Sequence, residues 1–264
     1  MNPAASAGGP GRAPRTGLVV QARLGSTRLP RKALLPLGGA TLCDQVLARL
    51  ALVSADVHVL ATDEPSAAEL APVAERRGFE LLVGPAEDVL ARYCLAARRF
   101  GLERVLRATG DNPLVAHELA ALLLDRAETV PPADYASYQG LPVGMGVELV
   151  AAAALFRAEA EAREAPEREH VCPYLYSHPE LFVLDRPAAP DPWFLPEARV
   201  TVDTAADYEA VLRIYGALYS GEPIPTARIF AYLRGLRDPR GPGVAGAADL
   251  AGAADLAGAA GGLP

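Results

Sequence analysis

Cysteine is scarce in this sequence, which has only Cys43, Cys94 and Cys172 in 264 residues. Three cysteines, odd in number and far apart, fit neither a disulfide framework nor paired zinc ligands. We therefore expect reduced and mostly buried thiols in a cytoplasmic protein. A catalytic cysteine is disfavoured, because only His170, near Cys172 in sequence, could act as a basic activator.

Long hydrophobic runs and an excess of positive charge are also absent. No run of 18 apolar residues occurs, and the first fifteen residues lack the apolar core of a signal peptide, so we expect a soluble protein that is not exported. Lys and Arg number 25 against 32 Asp and Glu, a formal charge of -7. An acidic chain is unsuited to coating nucleic acid or an anionic membrane, and neither is expected as a partner.

Both ends of the chain differ from the middle in composition. Residues 1–15 contain no acid and much Ala, Gly and Pro, and the last 24 residues include the repeat GAADLAGAADLA. Segments of this kind bury too little apolar surface to fold alone. The sequence therefore predicts disordered tails at 1–15 and 238–264 around one folded domain at 16–237.

Within that domain, the first half alternates short apolar runs with amphipathic segments. The runs predict strands and the segments predict helices. The alternation indicates right-handed βαβ units and an α/β protein whose mostly parallel sheet has helices on both faces. The predicted strands are 17–22, 57–61, 80–83 and 104–108, and the predicted helices are 42–52, 65–77, 87–100 and 116–129.

The second half is less regular. A less regular second half of this kind commonly adds antiparallel strands to the sheet, and these strands can cover one side of a ligand pocket, here the side where a nucleotide's acceptor would lie. The predicted strands are 134–138, 147–150, 182–185 and 199–202, and the predicted helices are 152–163, 167–177, 205–219 and 226–233.

Two common nucleotide-binding motifs, the Walker A pattern GxxxxGK[ST] and the dinucleotide pattern GxGxxG, are absent. The first predicted strand is followed instead by QARLGSTRLPRK at 21–32, and no acid occurs over 16–43. Backbone N–H groups near Gly25, short hydroxyl side chains and cations together suit phosphate oxygens. The loop is therefore a candidate triphosphate site, and the alternative is a solvated basic loop. Its cations are Arg23, Arg28, Arg31 and Lys32.

Two aspartates follow later predicted strands. RATGDNP at 107–113 places Asp111 in a turn, and RVTVDT at 199–204 places Asp203 directly after a strand. Because ligands of open α/β sheets bind outside the carboxyl ends of the strands, the two carboxylates can converge there. Paired carboxylates suit a Mg²⁺ ion that also holds phosphate groups. The ordinary alternatives are a helix N-cap for Asp203 and a turn residue for Asp111.

Six motifs in a fixed order give a more specific indication. They are QARLGSTRLPRKALLPLGG at 21–39, ATD at 61–63, GPAEDVLARY at 84–93, RATGDNPL at 107–114, EREHVCPYLYSHPE at 167–180 and TVDTAADYE at 201–209. From about 17 to 233 the chain resembles the SpsF-type cytidylyltransferases of spore-coat polysaccharide biosynthesis, which are related to the CMP-KDO synthetases. The resemblance implies a glycosyltransferase-A-like nucleotidyltransferase fold, CTP and Mg²⁺ as ligands, pyrophosphate as product, and homodimers with partner contacts at 151–191.

Site residues are carried over from the family by position. For cytosine, ribose and triphosphate they are Gln21, Ala22, Arg23, Leu24, Gly25, Ser26, Arg28, Lys32, Thr62, Asp63, Asp88, Arg92, Thr109 and Gly110. The resemblance makes Asp111 and Asp203 the metal ligands, and with Arg23 and Lys32 they form the expected catalytic set. Asn112, Glu148 and His170 fall on the acceptor side. Glu148 as a salt-bridge partner and His170 as part of a helix start are the structural alternatives.

The sequence also departs from the family pattern. Arg31 stands where glycine is frequent, Asn112 and Cys172 stand at variable positions, and Gly146 stands where an acid often precedes Glu148. Arg31 would add charge at the phosphates. Loss of an acid beside the acceptor favours an anionic acceptor, namely a sugar acid, a phosphonate or a phosphorylated polyol.

The expected reaction is in-line attack of an acceptor oxygen on the α-phosphorus of CTP, catalysed by positioning and charge neutralisation. A glycosyltransferase that uses a nucleotide sugar is the enzymatic alternative, although no DxD-like motif occurs in mid-chain. A nucleotide-binding protein without turnover is the alternative of a different class.

Overall fold

The structure is a computed structural model that describes residues 13–235. In the first half, each predicted strand and helix is present within two residues of its predicted bounds. A short 3₁₀ turn and a two-stranded hairpin, which the sequence does not predict, follow the first strand. The elements are β1 (Thr16–Gln21), β2 (Pro36–Leu37), β3 (Ala40–Thr41), α1 (Leu42–Leu50), β4 (Val57–Thr62), α2 (Glu64–Arg76), β5 (Glu80–Val83), α3 (Val89–Phe100), β6 (Arg104–Thr109) and α4 (His117–Thr129), with the 3₁₀ turn at Lys32–Leu34.

In the second half, the strands predicted at 134–138 and 182–185 have two residues each, whereas the strand predicted at 147–150 keeps its length and is shifted by one residue. Its elements are β7 (Tyr135–Ala136), β8 (Glu148–Ala151), α5 (Ala152–Glu161), α6 (Ala165–His170), α7 (Pro173–Ser177), β9 (Leu184–Asp185), α8 (Ala205–Leu218) and α9 (Thr226–Gly235).

Seven strands form one sheet in the order β5-β4-β1-β6-β8-β7-β9. β1 pairs in parallel with β4 and with β6, and β8 pairs antiparallel with both β6 and β7. β8 is therefore the single reversed strand of this sheet within 13–235. The predicted mixed and mostly parallel sheet is confirmed.

The core is divided between the two faces of the sheet. Leu18 and Val20 on β1 point into one apolar cluster, which includes side chains of α1, α4, α8 and α9. Val19, between them, points into a second cluster with side chains of α3, α5 and α7. Successive residues of a strand point to opposite faces of the sheet. A run of consecutive apolar residues therefore indicates a strand that is buried on both faces. The expected helices on both faces are thus present.

Two predictions for the second half are wrong. Residues 199–202 do not form a strand of the sheet, because Val200 and Thr201 donate to the Val143 carbonyl and Val202 donates to that of Asp111. This segment is held by loops and by one isolated bridge between Val143 and Arg199. The helix predicted over 167–177 is broken into α6 and α7 at Val171, where φ is 74°. Pro173 has no N–H to continue the first helix and begins the second.

The predicted tails lie mostly outside the described residues, which begin at 13 and end at 235. Arg15, placed in the N-terminal tail, is attached to the domain: its Nε donates to the Phe100 carbonyl at 2.9 Å, and its own carbonyl accepts from the N–H groups of Glu103 and Arg104.

Over 13–235, no helix has both the length and the apolar composition needed to cross a bilayer.

Candidate active site

The loops that leave the carboxyl ends of β1 and β6 enclose a cavity of about 470 Å³. Gln21 pairs with Thr109 at the last position of the two strands, so the two loops begin side by side. This is the edge at which the sequence predicts the nucleotide. The predicted site residues that line the cavity are Gln21, Ala22, Arg23, Gly25, Ser26, Arg28, Lys32, Arg92, Thr109, Gly110, Asp111, Asn112, His170 and Asp203.

Gly110 allows the two loops to approach closely. Its N–H donates to the Gln21 carbonyl at 2.7 Å. A β-carbon at position 110 would lie 2.7 Å from that of Ala22 and 3.0 Å from the Gln21 oxygen, which is closer than van der Waals contact allows. Glycine therefore fixes the turn that carries Asp111 against the start of the cationic loop.

The centre of the cavity is a lysine between two carboxylates. Lys32 Nζ donates to Asp111 Oδ2 at 2.8 Å, to Asp203 Oδ1 at 3.0 Å and to the Val202 carbonyl at 2.8 Å. All three protons of the ammonium group are therefore used. The side chains are partly buried, with 14% of Lys32, 28% of Asp111 and 19% of Asp203 exposed. The structure thus brings together two aspartates that are 92 residues apart in sequence.

Lys32 is also the only lysine in the chain, since the other 24 of the 25 basic side chains are arginines. An ammonium is a compact point charge with rotatable donors, whereas a guanidinium is a rigid planar fork. A composition that uses arginine everywhere else therefore indicates that this position requires an ammonium. The sequence contained this signal, and the motif-based prediction did not use it.

Arginines surround the outer side of Asp203. Arg28 donates to its Oδ1 at 3.1 Å and Arg199 to its Oδ2 at 2.6 Å. Burial raises the pKa of the Asp203 carboxyl, but the hydrogen bonds and charges of Lys32, Arg28 and Arg199 outweigh burial and hold this pKa below its ordinary value. Asp203 is not the N-cap of α8, because Thr204 takes that role and accepts from the N–H of Asp207. The structural alternative for Asp203 is therefore wrong.

The donor set at this centre fits a divalent cation that also holds phosphates. Over 13–235 no group of three or more His, Cys, Asp or Glu side chains could hold a metal alone. The two carboxylates around Lys32 Nζ are hard oxygen donors, and Mg²⁺ or Mn²⁺ commonly uses one or two carboxylates with substrate phosphates. Lys32 and such a cation would compete for the same oxygens.

Arg92 presents open hydrogen-bond donors at another part of the cavity wall. Only 1% of this residue is exposed, yet Nε and Nη1 contact no acceptor in the part of the chain that the structure describes. Burial lowers the pKa of the Arg92 guanidinium from its ordinary value. Buried N–H groups without a partner are rare in proteins. A hydrogen-bond acceptor of a bound ligand would satisfy these two groups of Arg92.

Arg23 lies at the mouth of the same cavity. Its Nη1 donates to the Ala86 carbonyl at 3.2 Å, and its guanidinium is 3.8 Å from Glu87 and 3.5 Å from Glu169. Both carboxylates are half exposed or more, so these contacts are weak in water. Arg23 can therefore exchange them for phosphate oxygens.

Five predicted site residues do not line this cavity. Leu24 is buried in the core, and its N–H is taken by Ser66 Oγ at 2.9 Å. Asp63 is the N-cap of α2 and accepts from the N–H of Ser66. Thr62 is fully buried, and its hydroxyl has no partner within 13–235. Their positions favour support of the loop over contact with a ligand.

Asp88 and Glu148 are the other two. Asp88 caps α3 by accepting from the Ala91 N–H at 2.9 Å, and its second oxygen forms an ion pair with Arg168. It thus fixes the helix that carries Arg92. Glu148 pairs with Arg107 and lines a second, adjoining cavity.

Arg31 is held away from the cavity. Its guanidinium forms a two-point ion pair with Glu69 on α2, with Nη1 2.9 Å from Oε1. Its backbone φ of 56° is the left-handed conformation that glycine adopts without strain. The expectation that Arg31 adds charge at the phosphates is therefore not met in this structure, where the side chain anchors the loop to α2.

A second cavity of about 320 Å³ adjoins the first and shares Arg107, Thr109, Asn112, Val143 and Gly144 with it. Among the described residues that line it, Arg107 and Glu148 are the charged ones, and they form an ion pair. Burial lowers the pKa of the Arg107 guanidinium, but Glu148 reverses the effect and raises it above its ordinary value. The interior of the second cavity is therefore charge-compensated.

Arg107, Arg199, Thr201 and Glu169 line the first cavity although the sequence analysis did not select them. Arg107 had a detectable signal, because it is a charged residue near the carboxyl end of the predicted strand 104–108. The other three lie within the quoted motifs, but nothing in the sequence distinguishes them from their neighbours there.

The comparisons with known proteins agree with this geometry. Residues 18–222 match the model of the family described as cytidylyltransferase. The spore coat polysaccharide biosynthesis protein SpsF of Bacillus subtilis is 32% identical over 204 residues, which cover 75% of this chain and 85% of that protein. A 3-deoxy-manno-octulosonate cytidylyltransferase of Leptothrix cholodnii is 37% identical over 122 residues, or 43% of this chain and 44% of that protein.

A solved cytidylyltransferase structure from Leptospira borgpetersenii is similar to this chain with a TM-score of 0.78 and 26% identity, covering 86% of this chain and 96% of that one. The expected nucleotidyltransferase fold is thereby confirmed. Since the family model spans most of the chain, the protein belongs to the cytidylyltransferase family and is a nucleotidyltransferase.

Proposed function

We propose that the protein transfers CMP from CTP to a small anionic acceptor and releases pyrophosphate. The observation that carries this proposal is the convergence of the cationic loop 23–32 with Asp111 and Asp203 around Lys32 Nζ. Cations for a triphosphate and carboxylates for a divalent metal meet in one cavity, next to a second cavity large enough for an acceptor.

Asp111 and Asp203 would hold Mg²⁺, which when bound neutralises phosphate charge and fixes the phosphates for in-line attack. Arg23 binds the triphosphate by exchanging its exposed partners Glu87 and Glu169 for phosphate oxygens. Arg28 turns its exposed guanidinium from Asp203 to the phosphates. Lys32 then leaves the two carboxylates and donates hydrogen bonds to the phosphates. Its positive charge thereby moves toward the pyrophosphate that departs. The chain contributes positioning and charge, in keeping with phosphoryl-group chemistry in general.

Glu148 is unsuited to take a proton from the acceptor. One of its oxygens accepts from Arg107, and the other accepts from the Tyr135 hydroxyl at 2.8 Å. An acceptor whose attacking oxygen is already ionised, such as a phosphate or phosphonate, needs no base. A sugar-acid hydroxyl, the acceptor group suggested by the name of the octulosonate cytidylyltransferase relative, would be deprotonated next to the metal site instead.

Arg92 is proposed to select cytosine. Cytosine offers two adjacent acceptors, O2 and N3, whereas uracil carries a proton at N3 that would face the open donors of Arg92. The prediction is that Arg92→Met raises the KM for CTP about tenfold or more and reduces the preference for CTP over UTP. Initial rates of pyrophosphate release with each nucleotide check this. Equal losses for CTP and UTP would contradict base selection.

The function itself is tested by a screen of pyrophosphate release with the four nucleoside triphosphates against sugar acids, phosphonates and phosphorylated polyols. We expect release with CTP and an anionic acceptor, and a CMP-linked product by mass spectrometry. Release with another nucleotide alone would exclude CTP dependence. Transfer from a nucleotide sugar, or nucleotide binding without turnover, would favour the two alternative functions.

Two accompanying proposals concern the setting of the enzyme. The three cysteines within the described residues are free and buried, which supports a reducing compartment such as the cytoplasm. We also propose a homodimer with contacts in 151–191, a segment in which Val183 is 60% exposed. Light scattering on purified protein measures the mass directly.

A further inference from the structure

A chain of hydrogen bonds runs along the wall of the second cavity and across successive strands of the sheet. It starts at Arg107 on β6 and passes through Glu148 on β8 to the hydroxyl of Tyr135 on β7. The Tyr135 oxygen lies 3.0 Å from Ser137 Oγ, which accepts from Gln139 Nε2 at 2.9 Å. The inner end of the chain adjoins the nucleotide cavity, because Arg107 lines both.

Arg186 forms the outer end of this chain. It follows β9 directly, and its Nη2 donates to Gln139 Oε1 at 2.8 Å. Its guanidinium lies 5.8 Å from the centre of the Tyr176 ring. These two contacts hold an exposed arginine in a defined position beside a residue that lines the cavity.

The charge along the chain is uneven. At the inner end, Arg107 is neutralised by Glu148. At the outer end, Arg186 has no carboxylate within ion-pair distance anywhere in 13–235. β9 lies three strands from β6 in the sheet, and at a strand spacing of about 4.8 Å this is about 14 Å. Along this chain of hydrogen bonds, the positive charge without a carboxylate partner therefore lies at the rim, remote from the nucleotide side.

We propose that Arg186 binds the anionic group of the acceptor, a carboxylate or a phosphate, at the end remote from the oxygen that attacks CTP. This inference rests on the proposed CMP transfer. The hydroxyl-bearing body of the acceptor lies in the compensated interior, against the polar groups of Asn112, Ser137 and Gln139. The acceptor is thus a polyhydroxylated acid. Its acid group lies at the opposite end of the molecule from the attacking oxygen, not next to that oxygen.

The test compares matched acceptors in the pyrophosphate assay with CTP: aldoses, their uronates and 6-phosphates, and aldulosonates that carry the carboxylate beside the attacking oxygen. We expect terminal acids to be used best. Arg186→Ala should raise the KM for terminal acids about tenfold, as loss of a charge-assisted hydrogen bond implies, and leave the KM for CTP unchanged. Arg186→Lys should restore part of the loss, and uronates and 6-phosphates distinguish carboxylate from phosphate.

Arg99→Ala is the matched control, since Arg99 is an exposed arginine in the last turn of α3, at the other end of the helix from the cavity. An unchanged preference for terminal acids in Arg186→Ala, with the wild type active, would overturn the inference and leave the proposed function standing. Absence of pyrophosphate release from the wild type with every acceptor would overturn both.

Discussion

Asp111→Asn is expected to slow pyrophosphate release from CTP about a thousandfold while the domain remains folded. The substitution removes one of the two carboxylates that converge on Lys32 Nζ, and losing several kcal/mol of charge stabilisation at the phosphates corresponds to about this factor. Asp111 is partly exposed, so its ion pair with Lys32 contributes about 1 kcal/mol or less to stability. Turnover and thermal unfolding measured on the same preparation separate the two effects.

Asp44→Asn is the matched control for this prediction. Asp44 is fully buried in α1 and pairs with Arg76 at 2.7 Å and Arg77 at 2.6 Å, outside the cavity. Breaking such a pair leaves charges without partners and is expected to lower the free energy of unfolding by about 2 kcal/mol or more. Activity per folded molecule should persist. Undiminished turnover in Asp111→Asn would remove Asp111 from the metal site.

Lys32→Met is expected to change turnover and metal affinity in opposite directions. Turnover with CTP should fall about a hundredfold, since a cation at the phosphates is lost. Affinity for Mn²⁺ without nucleotide should rise about tenfold, because the ammonium no longer competes for Asp111 and Asp203. Electron paramagnetic resonance titration of free Mn²⁺ measures the affinity, and the shift of Tm on adding Mn²⁺ gives an independent value.

Lys32→Arg is the companion variant. It keeps the charge but replaces three rotatable donors with a planar fork, so it should recover little of the turnover. Unchanged Mn²⁺ affinity in Lys32→Met would show that lysine and metal do not share the carboxylates. Because Lys32 is the only lysine, acetylation of its ε-amino group before and after CTP addition also reports on one side chain.

The fold was largely predictable from local sequence patterns in the first half. β1 is apolar at successive positions and α1 begins at a capping threonine, so burial and capping agree at each element. In the second half, β7 and β9 have two residues each, and their pairing depends on neighbours distant in sequence. The segment 199–202 has a strand-like composition, yet its N–H groups bond to loop carbonyls at 143 and 111.

The geometry of the candidate site was predictable in part. The motifs identified the loop and both aspartates, because each follows a strand end that a parallel sheet brings to one edge. They also selected Asp63 and Asp88, whose carboxylates cap helices, since an aspartate before a helix has the same local sequence whether it caps or binds. Only the packing of α2 and α3 distinguishes the two roles.

By itself the sequence determined the fold class and the edge of the sheet at which the candidate site lies, and it supplied the residue types on which the proposed triphosphate and metal sites rest. These depend on periodicity and on spacing along the chain, which are local. The tertiary structure decided that Lys32 lies between Asp111 and Asp203 and that Arg31 points to Glu69. It also decided that Arg107 and Glu148 neutralise each other, whereas Arg186, three strands from β6, has no carboxylate partner within 13–235. Such pairings join residues from different loops and strands, and only the packing of the whole domain sets the distances between them.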